Sequence, residues 1–185
     1  MTRVRDSPMH DMRTGNGDQN AHPIEYPMIP AQSEATAFLE HELLSQIPLT
    51  RAMQLRVVAY DGSTLRLAAP LGPNVNDKGC AFGGSLASLL TLACWGLARL
   101  ALREHAMEPD IYVQDSQIDY LAPVWSEIEI VARADDGQSL ADFVAMQAAR
   151  GKARITLYAA AAGEAGPATT LRARFVSKRK AEDPA

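Results

Sequence analysis

The chain has 185 residues, 47% of them hydrophobic, which is enough for one domain with a substantial core. Its formal net charge of −4 argues against a general nucleic-acid binder, which would be basic. The two cysteines, Cys80 and Cys94, fit neither a metal-ligand spacing nor a disulfide framework, so no metal site is expected and a reducing, cytoplasmic setting is the default.

Residues 1–32 hold Pro8, Pro23, Pro27 and Pro30 with little periodicity, and read as a flexible arm without the apolar run of a signal peptide. Ser33 then caps a helix to about Gln46, with Phe38, Leu39, Leu43 and Leu44 as its apolar face, and Pro48 stops it. Met53, Leu55, Val57 and Ala59 alternate with more polar neighbours. Asp61-Gly62 is a hairpin turn, and Leu65, Leu67 and Ala69 alternate on the return strand.

A polar loop over 74–82 leads into a helix from about Gly83 to Glu104. Between Lys78 and Arg99 no residue carries a formal charge. The length would nominally span a bilayer, but the glycines and hydroxyls within it and the lack of a second span favour a helix surrounded by protein. Two strands follow, over 111–123 and 127–134, then a turn at Asp135-Asp136-Gly137. Ser139 opens a short amphipathic helix carrying Leu140, Phe143 and Val144 and ending near Gly151. Strands over 153–160 and 168–176 complete a single domain at 33–178, and a charged tail occupies 179–185. An antiparallel sheet curved around the central helix would cover one side of it. A second subunit covering the other side would resolve the excess of apolar surface.

This α+β order resembles the hotdog fold. "NVNDKGCAFGGS" before a buried helix, and "DSQIDYLAPV" after it, are similar to the thioesterase family typified by the C-terminal domain of YiiD. The resemblance covers about residues 35–178. It implies an enzyme acting on thioesters of coenzyme A or acyl carrier protein, the carrier being part of the substrate and no further cofactor being needed. It also implies a homodimer, which can pair again into a tetramer. Hydrolysis is the leading expectation. A malonyl-acyl-carrier-protein decarboxylase and a non-catalytic acyl-binding module are the alternatives.

Gly83 and Gly84 open the helix, where backbone N–H groups lack intrahelical partners and attract anions or polarised carbonyls. The family implies an oxyanion hole there, and close helix–sheet packing is the other reading. Asn76 can orient a water or a substrate carbonyl, or it can hold an Asx-turn. Many hotdog thioesterases with a His-Gly-Gly entrance carry a carboxylate seven residues after the second Gly. Here Phe82 replaces the His and Thr91 the carboxylate. Ser85, Ser88 and Thr91 form a thin polar stripe that lines a substrate channel or eases helix packing. Asp115 is the candidate base, with a strand carboxylate paired to Arg as its alternative. Ser116 and Tyr120, with Phe82, complete the expected substrate-binding set. Arg150, Lys152, Arg154, Arg172, Arg174, Lys178, Arg179 and Lys180 concentrate positive charge that would attract a phosphate-bearing carrier, or form solvated strand faces.

Overall fold

The computed structural model describes residues 33–180; the expected arm at 1–32 and the last five residues of the tail lie outside them. Helix α1 (Glu34–Gln46) begins where Ser33 is extended and its Oγ accepts from the Thr36 N–H. Pro48 does more than stop it. It is the first residue of a short α2 (Pro48–Ala52), a position where its missing N–H costs nothing. The Thr50 hydroxyl sits within 2.8 Å of the Leu43 carbonyl and 2.7 Å of the Ile47 carbonyl, tying the two helices together.

Strands β1 (Arg56–Tyr60) and β2 (Thr64–Ala69) form the expected hairpin. Gly62 turns it at φ +86°, and the Asp61 carboxylate accepts from the N–H and hydroxyl groups of Ser63 and Thr64. After α3 (Gly83–Arg103) come β3 (Asp110–Tyr120), β4 (Ile128–Ala134), α4 (Leu140–Arg150), β5 (Lys152–Gly163) and β6 (Gly166–Lys178). Gly151 at φ +64° ends α4, the left-handed position that glycine occupies without strain.

The six strands make one curved antiparallel sheet in the order β1-β2-β4-β5-β6-β3. Leu65, Leu67, Ile130, Ala132, Ile155, Leu157, Leu171, Ala173 and Phe175 point from it into the core around α3, every one buried. In this sheet Ala159 and Ala161 of β5 are also fully buried, and their small side chains leave room for the helix. The fold is therefore the α+β hotdog architecture, a sheet wrapped on a long helix.

The two halves of α3 differ. From Ala93 to Leu102 every residue except Trp95 is buried, because α1 of the same chain covers the side that the sheet leaves open. At Gly96 an added Cβ would come within 2.8 Å of Leu65 and 2.9 Å of Leu39, so glycine lets β2 and α1 close on the helix from two sides. Arg99 reaches back to Glu42 through three contacts of 3.1 Å. By contrast Gly84, Ser85, Ala87, Ser88, Thr91, Leu92 and Trp95 stay half-exposed along the first half. The expected need for a second subunit is thus confined to that half. The helix is long and apolar enough to cross a membrane by length and composition, yet two-thirds of its most apolar window (67%) is buried inside this protein.

Candidate active site

The loop before α3 is held by backbone and side-chain bonds that converge on two asparagines. Asn74 is buried, and its amide donates to the Met53 carbonyl at 2.9 Å and the Pro70 carbonyl at 2.8 Å. Asn76 accepts from the Lys78 N–H at 2.8 Å, and its Nδ2 lies 3.2 Å from the Cys80 sulfur. Its backbone N–H donates to the Cys80 carbonyl at 2.8 Å. Both ends of the Asn76 side chain are therefore engaged within the loop, which is the Asx-turn arrangement. Gly79, at φ +86°, completes the turn, a conformation that side-chain-bearing residues rarely adopt. The Ala81 N–H donates to the Val124 carbonyl at 2.8 Å and the Phe82 N–H to the Asn74 carbonyl at 2.7 Å, which aims the chain into the helix.

At the entrance Phe82 is the N-cap without a side-chain cap bond, and the first intrahelical turn closes with the Leu86 N–H on the Phe82 carbonyl. The N–H groups of Gly83, Gly84 and Ser85 have no partner among the described residues. They sit on half-exposed residues at the positive end of a 21-residue helix, so an incoming carbonyl oxygen or anion meets three donors and the helix dipole together. Both glycines let aromatic rings pack closely on the entrance. A Cβ at Gly84 would lie 2.3 Å from the Phe82 ring, and one at Gly83 would lie 3.3 Å from the Tyr120 ring. The Tyr120 hydroxyl donates to the Gly83 carbonyl at 3.1 Å, fixing β3 against the helix entrance. A groove of about 340 Å³ opens beside it, lined by Ala81, Gly83, Leu86, Tyr120, Leu121 and Pro123 among others.

The sheet register sorts the remaining candidates by face. Opposite residues of an antiparallel pair share a face. Val113 lies opposite Phe175, Ser116 opposite Ala173, Ile118 opposite Leu171 and Tyr120 opposite Thr169, all buried partners on the helix side. Asp115 lies opposite Arg174, an exposed residue, and its carboxylate is 3.5 Å from the Arg174 guanidinium. The reason is a bulge between Val113 and Asp115. Simple alternation would put those two residues on one face, and one extra residue turns Asp115 to the other. Asp115 is thus not brought to the groove, and the alternative of an Arg-paired strand carboxylate describes it. Ser116 and Tyr120 do face the helix, and of the two only Tyr120 touches the entrance.

The hydroxyls of Ser88 and Thr91 donate back to the Gly84 and Ala87 carbonyls, at 2.9 and 2.8 Å, so their protons are spent inside the helix. With Ser85 they remain on its half-exposed face, outside the residues that line the groove. Cys80 and Cys94 are both buried, and burial pushes the Cys94 thiol above its ordinary range. Among the described residues no cluster of His, Cys, Asp and Glu is placed to hold a metal.

Comparison with known proteins places this geometry. Residues 36–179 match a family model described as "Putative thioesterase (yiiD_Cterm)". The chain belongs to this family. A protein of unknown function from Chlorobaculum tepidum TLS is 33% identical at a TM-score of 0.72, the match covering 78% of this chain and 94% of that one. A structure from Shewanella oneidensis, described as a putative thioesterase, is 29% identical at a TM-score of 0.71 over 78% of this chain and 98% of that one. A thioesterase from Haemophilus influenzae shares the fold alone, at 14% identity and a TM-score of 0.59 over 80% and 94% of the two chains.

For this family member, the sequence reading missed Leu121, which lines the groove, and Trp125, which lies near Gly79. Leu121 and Trp125 are exposed at 60% and 57%, alongside Tyr120 and Phe82 at 56% and 55%. The signal was present in "LAPVW", five residues without a polar side chain in a connection between strands. A connecting loop on a surface is ordinarily polar, so such a run stands out.

Proposed function

We propose that this protein is a thioesterase acting on acyl thioesters of coenzyme A or acyl carrier protein. The observation that carries the reading is the row of partnerless N–H groups at Gly83, Gly84 and Ser85, the first of which lines an apolar groove. A thioester carbonyl seated there develops negative charge on oxygen as water attacks carbon. The three donors and the helix dipole meet that charge where it forms. The tetrahedral intermediate then collapses, the C–S bond breaks, and the thiolate leaves to take up a proton. Phe82, Tyr120 and Leu121 supply the apolar surface for the acyl group, with the stripe of Ser85, Ser88 and Thr91 beside it. Asn76 acts as a positioning residue, holding the loop that aims Phe82 and the glycines.

A second reading has its own support. Among the described residues no carboxylate lines the groove. Decarboxylation of a malonyl thioester needs no general base: the carbon–carbon bond breaks, carbon dioxide leaves, and the electron pair becomes an enolate whose oxygen takes the same three donors.

One set of assays decides between them. Malonyl, short, aromatic and long acyl thioesters are offered in turn, with free thiol and carbon dioxide measured separately. Thiol release without carbon dioxide is the expected result, and Gly84→Ala, which keeps the N–H but drives the Phe82 ring aside, is expected to lower kcat/KM by up to about 10²-fold, the cost of a misplaced bound group. Carbon dioxide released with the thioester intact would replace hydrolysis by decarboxylation. Binding without any product would leave an acyl-binding module.

A further inference from the structure

The far end of the molecule carries a second cleft that the thioester reading does not use. It measures about 620 Å³ and lies between the α3–β3 connection, α4 and the end of β6. Helix α3 separates it from the groove, and 21 residues at 1.5 Å each make about 31 Å. Its walls combine an apolar body, Met107, Pro109, Val144 and Ala148, with the side chains of His105, Glu108, Gln147, Arg179 and Lys180.

Three observations give the cleft chemical character. The first is Gln147, on the apolar face of α4, one turn beyond Phe143 and Val144, where the helical period calls for a hydrophobic residue. Its side chain is only 4% exposed. One end accepts from the hydroxyl of Ser177, itself fully buried, at 2.7 Å. Its Nε2 donates to no described group, and the residue lines the cleft. This Nε2 is not among the fully buried polar atoms that lack a partner, so it is open to the cleft and can donate to whatever enters there.

The second is Arg179. Its backbone N–H donates to the Gly151 carbonyl at 2.7 Å, and its guanidinium lies over Gly151, 3.2 Å from where a Cβ would stand. A glycine seat and a backbone bond therefore hold this arginine against the cleft. The third is charge. Among the described residues Arg150, Lys152, Arg154, Lys178, Arg179 and Lys180 make no ion pair, although the protein as a whole is acidic. The one acid in the cleft, Glu108, is 3.6 Å from Arg99.

We propose that this cleft is a binding site for a phosphate-bearing small molecule of nucleotide size, separate from the thioester groove. The Gln147 amide, the Arg179 fork and Lys180 supply donors of the kind that phosphate oxygens take, and the apolar wall takes the ligand's body. The volume lies within the range of about 300–1,000 Å³ usual for small-molecule sites. The inference stands whether or not the groove hydrolyses thioesters.

Adenosine diphosphate and inorganic pyrophosphate serve as probes, titrated by calorimetry into the full chain, with hydrogen exchange measured on the complexes. Saturable binding at one site per chain is expected, tighter for the nucleotide than for pyrophosphate, with protection on α4 and residues 105–109 rather than 81–86. Gln147→Leu and Arg179→Ala should each weaken it by about tenfold or more, the worth of one charge-assisted hydrogen bond. Arg154→Ala, a cation outside the cleft, should leave it within about twofold. Because Gln147→Leu also changes the core, Arg179→Ala on the surface decides if the first variant is unfolded. Absence of saturable binding, protection at 81–86 instead, or equal weakening by Arg154→Ala and Arg179→Ala would overturn the proposal. The last outcome would leave a diffuse cationic surface only.

Discussion

Asp61 shows what a single side chain can do when its partners are local. Hydrogen bonds from the hydroxyl and N–H of Thr64 and from Ser63 hold its carboxyl well below the usual carboxylate range. A depressed folded value means that this contribution is fully present above about pH 4, the ordinary carboxylate value, and fades as the pH falls towards the folded one. Asp61→Ala is therefore expected to lower Tm at pH 7 by a few degrees, with the gap to the wild type narrowing between about pH 4 and pH 2 in calorimetric scans. A gap of constant size would place the effect outside the carboxylate. The turn was legible in the sequence because all its partners lie within three residues. Asp115 was not, because its orientation rests on a bulge set by pairing with β6, nearly sixty residues away.

Among elements, α1 and α3 were both readable from their periodicity, but the bond between them was not. Leu39 and Leu43 are fully buried as expected of the apolar face of α1. The same helix supplies Glu42, which pairs with Arg99, the charge that closes the long neutral stretch of α3. Phe38 adds a ring 3.8 Å from the Arg103 guanidinium and 5.4 Å from that of Arg99. Removing Glu42 leaves the buried Arg99 charge with only the exposed carboxylate of Glu108, 3.6 Å away, so Glu42→Ala is expected to cost up to about 3 kcal/mol in urea unfolding, at unchanged m-value. A cost below about 1 kcal/mol would show that Glu108 or solvent compensates the Arg99 charge. Glu42 and Arg99 belong to helices far apart in the chain. Only packing brought the two together.

At the scale of the whole molecule the open edge of the sheet is the outstanding feature. Strand β3 has 11 residues and pairs with β6 on one side alone. Tyr112 and Val113 on it, and Trp125 beyond it, are exposed, and the first half of α3 beside it is half-exposed. Edges of this length invite pairing with another chain. We propose that two copies join their β3 edges antiparallel, extending the sheet and covering the apolar face next to each groove. Light scattering at micromolar concentration should give a dimer, and Val113→Lys should shift it towards monomer while circular dichroism stays unchanged. A well-folded wild-type monomer under those conditions would remove this assembly.

Sequence alone determined the order and type of the main elements here, since caps, turns and hydrophobic period act over a few residues. Ser33, Asp61-Gly62, Ser139 and Gly151 each sit where local physics requires them. It also marked the Gly-Gly entrance, because the first N–H groups of any helix lack partners wherever the helix lies. Tertiary structure decided which side chains meet. A one-residue bulge turned Asp115 away from the groove, α1 rather than a second subunit covered the latter half of α3, and Gln147, Ser177 and Arg179 converged on one cleft. Those outcomes depend on contacts between segments far apart in the chain, and no local pattern encodes them.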